Sequence, residues 1–312
     1  MYRIFIDGKE GTTGLRIYER IHACKDISLL ALSEEDRKNN NKRQEMLHAC
    51  DIAFLCLPDA AAREAVELAK GSNARILDAS TAHRVDASFT YGFPELSQAQ
   101  YASLSASDRV AVPGCHASGY IALVHPLVQA GLLSPDALLS CTSLTGYSGG
   151  GKGMIGEYQA QERSAAYNAP KHYALAQAHK HLPEMQAYSG LIAPPVFLPV
   201  VADYYQGMLV TIPLHLGMLQ KKATLAQIRE VYEAHYANRP LISLLPDTAQ
   251  AGFLSANGLA GKDTMELGVF GNEERMTLLA RYDNLGKGAS GAAVQCMNIM
   301  LGKHEAETLA TE

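Results

Sequence analysis

Long apolar runs, basic tracts and paired cysteines are all missing from this 312-residue chain, and each absence narrows what it does. The first apolar run, Ile4-Phe5-Ile6, stops at Asp7, too short for the core of an export signal. The most apolar later stretch, Gly190 to Ala202, is interrupted by Pro194, Pro195 and Pro199, so no membrane span is expected. Formal net charge is −5 with no concentrated basic segment, which argues against a nucleic-acid partner. A small anionic substrate stays compatible, because charge at a site matters more than the total. The six cysteines (24, 50, 56, 115, 141 and 296) contain no CxxC pair, so free thiols in a reducing cytoplasm are expected. No internal repeat is present. What remains is 47% apolar and 19% charged residues, an ordinary balance, at a length that accommodates two domains.

The first third alternates strand and helix signals: strands over Tyr2–Asp7, Ile27–Leu32, Asp51–Leu57, Arg75–Ala79 and Arg109–Val112, and helices over Gly14–Ala23 and Ala60–Lys70. Glu34 to Arg43 reads as a polar, Asn-rich connection. Such alternation predicts βαβ units and a parallel sheet. From Cys115 to about residue 285 longer strand-like runs, Gly207–Leu214 and Arg275–Tyr282, mix with helices and predict an α+β domain with an antiparallel or mixed sheet. Gly146–Gly153 and Gly252–Gly261 read as loops. Gly288–Leu301 reads as a helix of small apolar residues that returns to the first domain, and the last ten residues as a fraying end.

Between the first strand and first helix, glycines stand at 8, 11 and 14, with Thr12 and Thr13 available at the helix start. Glycine permits the tight turn and a close backbone approach, and the helix start presents free N–H groups, which suits a dinucleotide pyrophosphate. The spacing GxxGxxG departs from GxGxxG, so a turn without a ligand is the competing reading. After the second strand come Ser33, Arg37 and Lys38, which can hold a ribose phosphate, while Glu34 favours a free ribose hydroxyl and a merely solvated charge run is the plain alternative. The balance tips to NADP.

The segment Val110 to Gly119 places Cys115 directly after Pro113-Gly114, where a strand ends and a helix begins. A helix N-terminus favours the thiolate, and the strand's carboxyl end is where open α/β sheets bind ligands. The other cysteines read as buried structural residues. A thiolate nucleophile needs an acid–base partner. His179-Lys180-His181-Leu182-Pro183-Glu184 concentrates two imidazoles, a cation and a carboxylate, and a carboxylate can orient a histidine. Surface histidines or a metal pair are the alternatives, but no further ligands accompany the pair at metal spacing, so no metal is expected. His116 ranks lower, since adjacent side chains often diverge.

These segments together resemble the N-acetyl-γ-glutamyl-phosphate reductase family, in its shorter branch. The resemblance spans nearly the whole chain through FIDGKEGTTGL, LDASTAHR (77–84), YGFPEL (91–96), VPGCHAS (112–118), GYSGGGK (146–152), HKHLPEM (179–185) and DNLGKGASGAAVQ (283–295). It implies a Rossmann-type α/β dinucleotide-binding domain over 1–114 with 287–312, and an α+β catalytic and oligomerisation domain with a mixed sheet over 115–286. It implies NADPH-dependent reduction of N-acetyl-L-glutamyl 5-phosphate to the 5-semialdehyde, in arginine biosynthesis, with Cys115 as nucleophile, His181 as acid–base and Glu184 as supporting carboxylate. It extends the cofactor contacts to Pro58, Ser80, Asn284, Gly286 and Gly288, and suggests a cytoplasmic homodimer or homotetramer. For the substrate's anionic groups, Ser148, Gly149 and Lys152 combine backbone donors with a cation, although a flexible glycine loop is an equal reading. Arg84 is a second candidate, against a surface salt bridge. Rival functions are the same chemistry on aspartyl or aminoadipyl phosphate, and a non-catalytic NADP(H)-binding redox regulator.

Overall fold

The computed structural model describes residues 1–246 and 252–311. The chain forms two compact units, Met1–Pro113 with Ala289–Leu309, and Gly114–Gly288 with the residues from Ala310.

In the first unit the strands are β1 (Tyr2–Asp7), β2 (Ile27–Leu30), β3 (Ile52–Leu55), β4 (Arg75–Asp78), β5 (Thr90–Tyr91) and β6 (Arg109–Ala111). The helices between them are α1 (Thr12–Ile21), α2 (Asn40–Ala49), α3 (Asp59–Leu68) and α4 (Gln98–Ala106). The six strands are all parallel, in the order β2-β1-β3-β4-β6-β5. Because β2 and β3 lie on opposite sides of β1, the strand order reverses there, and the loop after β1 opens at the point where such sheets bind ligands. Every residue of β3 is buried, as a strand covered on both faces requires. Phe5, Leu47, Leu55, Ala65, Val66 and Ile76 form one core between sheet and helices.

Helix α2 corrects the expected polar connection over 34–43. Its sequence has no apolar face to announce it, and its start is set by Asn39, whose side chain accepts from the N–H groups of Asn41 and Lys42. The helix is held by a buried ion pair, Arg43 to Asp7 at 2.9 Å.

The second unit has α5 (Cys115–Gln129), β7 (Ser140–Gly146), α6 (Gly151–Gln159), β8 (Lys171–His172), α7 (Leu182–Ser189), β9 (Val196–Ala202), β10 (Met208–His215), α8 (Leu225–Tyr236), β11 (Ile242–Leu244), β12 (Met265–Gly271) and β13 (Arg275–Tyr282). Its seven-stranded sheet, β11-β12-β13-β10-β7-β9-β8, is mixed as expected, with β7 and β9 parallel and β10, β12 and β13 antiparallel. In β13 Met276, Leu278, Ala280 and Tyr282 face inward and alternate with more exposed residues. Helix α5 packs on this face and is buried almost all round. Its Pro126 has no N–H for the carbonyl of Ala122, and the Tyr236 hydroxyl of α8 donates to that carbonyl instead, at 2.8 Å.

The glycine run 146–153 is only partly a loop: a short 3₁₀ turn over Tyr147–Gly150 leads into α6. Gly252–Gly261 is loop throughout, as expected. After β13 a single π turn, Gly286–Ser290, precedes α9 (Gly291–Met300), which lies in the first unit against α1, α4 and β4. The end does not fray. Asn298 Nδ2 donates to the carbonyls of Glu305 and Glu307, and Leu309 is buried. Ala310 pairs with Asp263 in the second unit, through bonds of 2.7 and 3.0 Å.

Candidate active site

In the second unit, Gly114 caps α5 and Cys115 is its first residue. The first N–H groups of a helix have no acceptor inside it, and the positive end of the helix dipole lies there. One of these donors, Gly114 N–H, reaches the Glu184 carboxylate on α7 at 3.0 Å. Cys115 is only partly buried, unlike Cys50, Cys141 and Cys296, but so are Cys24 and Cys56, where the expectation of a buried thiol fails. Burial pushes the thiols of Cys24, Cys50, Cys56 and Cys141 up, Cys50 to about 12, so these four stay protonated. Cys115 is the thiol placed where negative charge is favoured.

His181 immediately precedes α7 and is buried. The Cys115 sulfur and one ring nitrogen each of His116 and His181 all lie within 4.8 Å of one another. Three such groups can hold a metal ion, but both nitrogens of His116 are engaged: Nδ1 with Ser143 Oγ at 2.7 Å and Nε2 with Tyr173 Oη at 2.6 Å. Burial, helped by the charges of His179 and Lys180, pushes the His116 pKa down to about 3, so this ring is neutral and fixed. His179 stands edge-on to His181 with centroids 4.7 Å apart, and its Nδ1 accepts the His181 backbone N–H at 3.2 Å. The arrangement sets the Cys115 thiol beside a His181 imidazole, the pairing that a thiolate nucleophile with an acid–base partner requires.

Other residues of the second unit are expected to touch substrate and cofactor. Ser148, fully buried, accepts from Asn284 Nδ2 at 3.0 Å, while Asn284 Oδ1 accepts from Gly207 N–H at 2.8 Å. Gly149 lies beside the same amide, and Lys152 is exposed in the first turn of α6. The loop after β13 is pinned by Asp283, whose carboxylate takes Leu285 N–H and whose carbonyl takes Gly286 and Gly288 N–H. A Cβ on Gly288 would stand 3.0 Å from both Cys115 Cβ and the Asp283 carbonyl oxygen, so a side chain there would crowd the nucleophile candidate.

In the first unit, Gly8 has φ +85°, and a Cβ on it would meet the Cys56 carbonyl oxygen at 2.3 Å. A Cβ on Gly14 would meet the Gly8 carbonyl oxygen at 2.6 Å. Gly11 caps α1, Thr12 and Thr13 begin it, and the turn is closed by Gly11 N–H to the Gly8 carbonyl at 2.9 Å. Beside it opens a cleft of about 420 Å³ bordered by Gly8, Gly11, Ser33, Arg37, Lys38 and Pro58. A bare-backbone turn at a helix start, with a cleft alongside, fits a dinucleotide. Lys9 also borders this cleft, with Nζ 3.6 Å from the centre of the Tyr18 ring. Sequence reasoning passed over it, although a cation inside the glycine turn was signal enough. Ser33 is committed locally, donating to Asp36 at 2.9 Å, and Arg37 lies 3.7 Å from Glu34. Ser80 and His83 both bind the buried Asp78 carboxylate, at 2.8 and 2.6 Å. Arg84 is no surface ion pair: it is buried, and its guanidinium binds the carbonyls of Val112 and Ala79.

Two family models match the chain: the semialdehyde dehydrogenase NAD binding domain over residues 19–104 and the semialdehyde dehydrogenase dimerisation domain over 115–284. N-acetyl-gamma-glutamyl-phosphate reductases of Brucella ovis and Brucella canis are each 45% identical to it, over 96% of this chain and 99% of theirs. In fold it is similar to aspartate semialdehyde dehydrogenase II from Vibrio cholerae, with TM-score 0.75 at 16% identity over 97% of this chain and 99% of that one. The aspartate semialdehyde dehydrogenase from Francisella tularensis gives TM-score 0.74 at 14% identity, over 96% and 100%.

Proposed function

The chain belongs to the N-acetyl-gamma-glutamyl-phosphate reductase family, and from that premise we propose how its residues divide the reaction. It is an oxidoreductase that converts N-acetyl-L-glutamyl 5-phosphate to N-acetyl-L-glutamate 5-semialdehyde with release of phosphate, a step of arginine biosynthesis. The observation that carries the mechanism is the Cys115 sulfur within 4.8 Å of a His181 nitrogen at the start of α5. The Cys115 thiolate attacks the acyl carbon, the carbon–oxygen bond to phosphate breaks, and a thioester remains on the sulfur. NADPH, when bound, supplies the hydride. His181 gives a proton to the acyl oxygen as the carbon is reduced and takes it back as the carbon–sulfur bond breaks, freeing the aldehyde and the thiolate. N–H groups of the first α5 turn stabilise the negative oxygen, roughly 2.7–4 kcal/mol per donor in comparable sites. Glu184 holds the nucleophile's turn through Gly114.

The dinucleotide binds through Gly8, Gly11, Thr12, Thr13 and Gly14, along Pro58 and Ser80. Preference for NADP is supported by three cations at the cleft, Lys9, Arg37 and Lys38, one of them partly offset by Glu34. In the second unit, Asn284, Gly286 and Gly288 are assigned to the nicotinamide and Ser148, Gly149 and Lys152 to the substrate's anionic groups; Arg84, in the first unit, already binds two carbonyls. The match to a dimerisation domain supports self-association, as a homodimer or homotetramer. No helix among the described residues is long and apolar enough to cross a membrane. The six free thiols support a cytoplasmic location.

The test is the reverse reaction, NADP+ reduction with N-acetylglutamate semialdehyde and phosphate, run beside aspartate semialdehyde. Turnover that requires phosphate, prefers the N-acetylated aldehyde and disappears in Cys115→Ser is expected. Activity with aspartate semialdehyde alone would keep the thioester and overturn the substrate.

A further inference from the structure

We propose that the Tyr282 hydroxyl positions the Cys115 nucleophile, and that residue 119 is glycine so that this hydroxyl can reach it. The inference rests on the thioester reading above.

Tyr282 ends β13, where its backbone pairs with Met208 of β10 on one side and Met265 of β12 on the other. Its Cα is therefore pinned in the middle of the sheet, and its side chain is fully buried. The hydroxyl donates to the Cys115 carbonyl oxygen and accepts from Gly119 N–H at 3.1 Å. In a regular α-helix the carbonyl of residue 115 and the N–H of residue 119 bond to each other. Here, at the first turn of α5, one phenol bonds to both of these groups in addition to the helix. A Cβ on residue 119 would stand 2.7 Å from both Cε1 and Oη of Tyr282 and 2.8 Å from Val210 Cγ2, so any larger residue displaces the ring and presses on β10. Burial pushes the phenol's pKa well up, so it remains a donor at working pH.

The backbone of the nucleophile is thus held from two directions: Glu184 on the N–H before it and Tyr282 on its own carbonyl. The orientation of Cα–Cβ in Cys115 follows from that backbone, and with it the direction of the sulfur toward His181. Without the hydroxyl, the carbonyl of 115 keeps only its partner within the helix, the first turn of α5 loses its tie to β13, and the sulfur is aimed less tightly. A displacement of about 1 Å in a reacting group costs roughly a hundredfold in rate.

Tyr282→Phe keeps the ring and removes only the hydroxyl. The expected result is a kcat lower by about 10- to 100-fold, with KM for acyl phosphate and NADPH within about threefold of wild type. The pH midpoint for alkylation of Cys115 by iodoacetamide, followed by peptide mass, should shift by about half a unit or more, since the sulfur's surroundings change. Gly119→Ala should also lower kcat, since its Cβ displaces the ring and presses on Val210. Wild-type kcat and an unshifted alkylation profile in Tyr282→Phe would overturn the proposal. Alkylation needs no substrate. If wild-type protein fails to turn over the N-acetylated substrate, the proposed function falls while the thiol measurement still decides the role of Tyr282.

Discussion

Two strand-to-helix turns in this molecule are built in opposite ways. The Gly8–Gly14 turn is shaped mostly by its own residues: a positive φ at Gly8, a bond from Gly11 back to Gly8, and a helix start without a side-chain cap, with the Cys56 carbonyl crowding Gly8 from outside. The turn at Gly114 and Cys115 is shaped from far away in sequence, by Glu184 seventy residues on and Tyr282 a further stretch beyond, separated from Cys115 by 167 residues. A turn that must yield to a phosphate group needs bare backbone. A turn that must aim one sulfur needs its backbone clamped, and only distant elements of a sheet and a second helix can clamp it.

That contrast predicts a split in kinetics. His181→Asn, on the clamped side, should lower kcat by about 10²–10⁴ with NADPH affinity unchanged, measured by steady-state rates and by titration of nicotinamide fluorescence. Glu184→Ala leaves the Gly114 N–H without its acceptor, so kcat should fall about 10- to 100-fold and stability by about 1–3 kcal/mol, measured by denaturant unfolding. Glu184→Gln retains an acceptor and should recover most of both losses; failure to recover would make the charge, not the hydrogen bond, its contribution. Gly8→Ala should act on the other side, raising KM for NADPH about tenfold and costing about 1–3 kcal/mol of stability while kcat at saturation holds. A large loss of kcat at saturating NADPH there would break the comparison.

The smallest effect concerns pH. The folded His116 has its pKa pushed down to about 3, below its unfolded value near 6.5. Its contribution to stability is complete above about pH 6.5 and is lost as pH falls toward 3, because the unfolded chain takes up a proton that the folded one refuses. The melting temperature of wild type should therefore fall more steeply between pH 6.5 and 4 than that of His116→Asn. Parallel slopes would mean that His116 is more readily protonated in place than its hydroxyl partners and burial imply.

What could be read from the sequence follows the same division. The glycine turn was legible because its physics is local, and the alternation of β1, β3 and β4 with α1 and α3 because burial imposes a period. Helix α2 was missed because Asn-Asn-Lys-Arg-Gln carries no apolar stripe; the capping Asn39 was the available signal. Helix α6 was missed because its glycines read as a loop. Cys115, His181 and Glu184 could be singled out by residue type and place, but the hold of Glu184 on Gly114 could not, nor the engagement of both nitrogens of His116.

By itself the sequence determined the two kinds of sheet, the family, the glycine turn and the candidate for the reactive thiol, since each depends on neighbours along the chain or on matching motifs. The tertiary structure alone decided which hydroxyl and carboxylate meet the backbone around that thiol, and what crowds residues 119 and 288. Those are matters of distance between groups far apart in sequence, and no pattern along the chain encodes a distance.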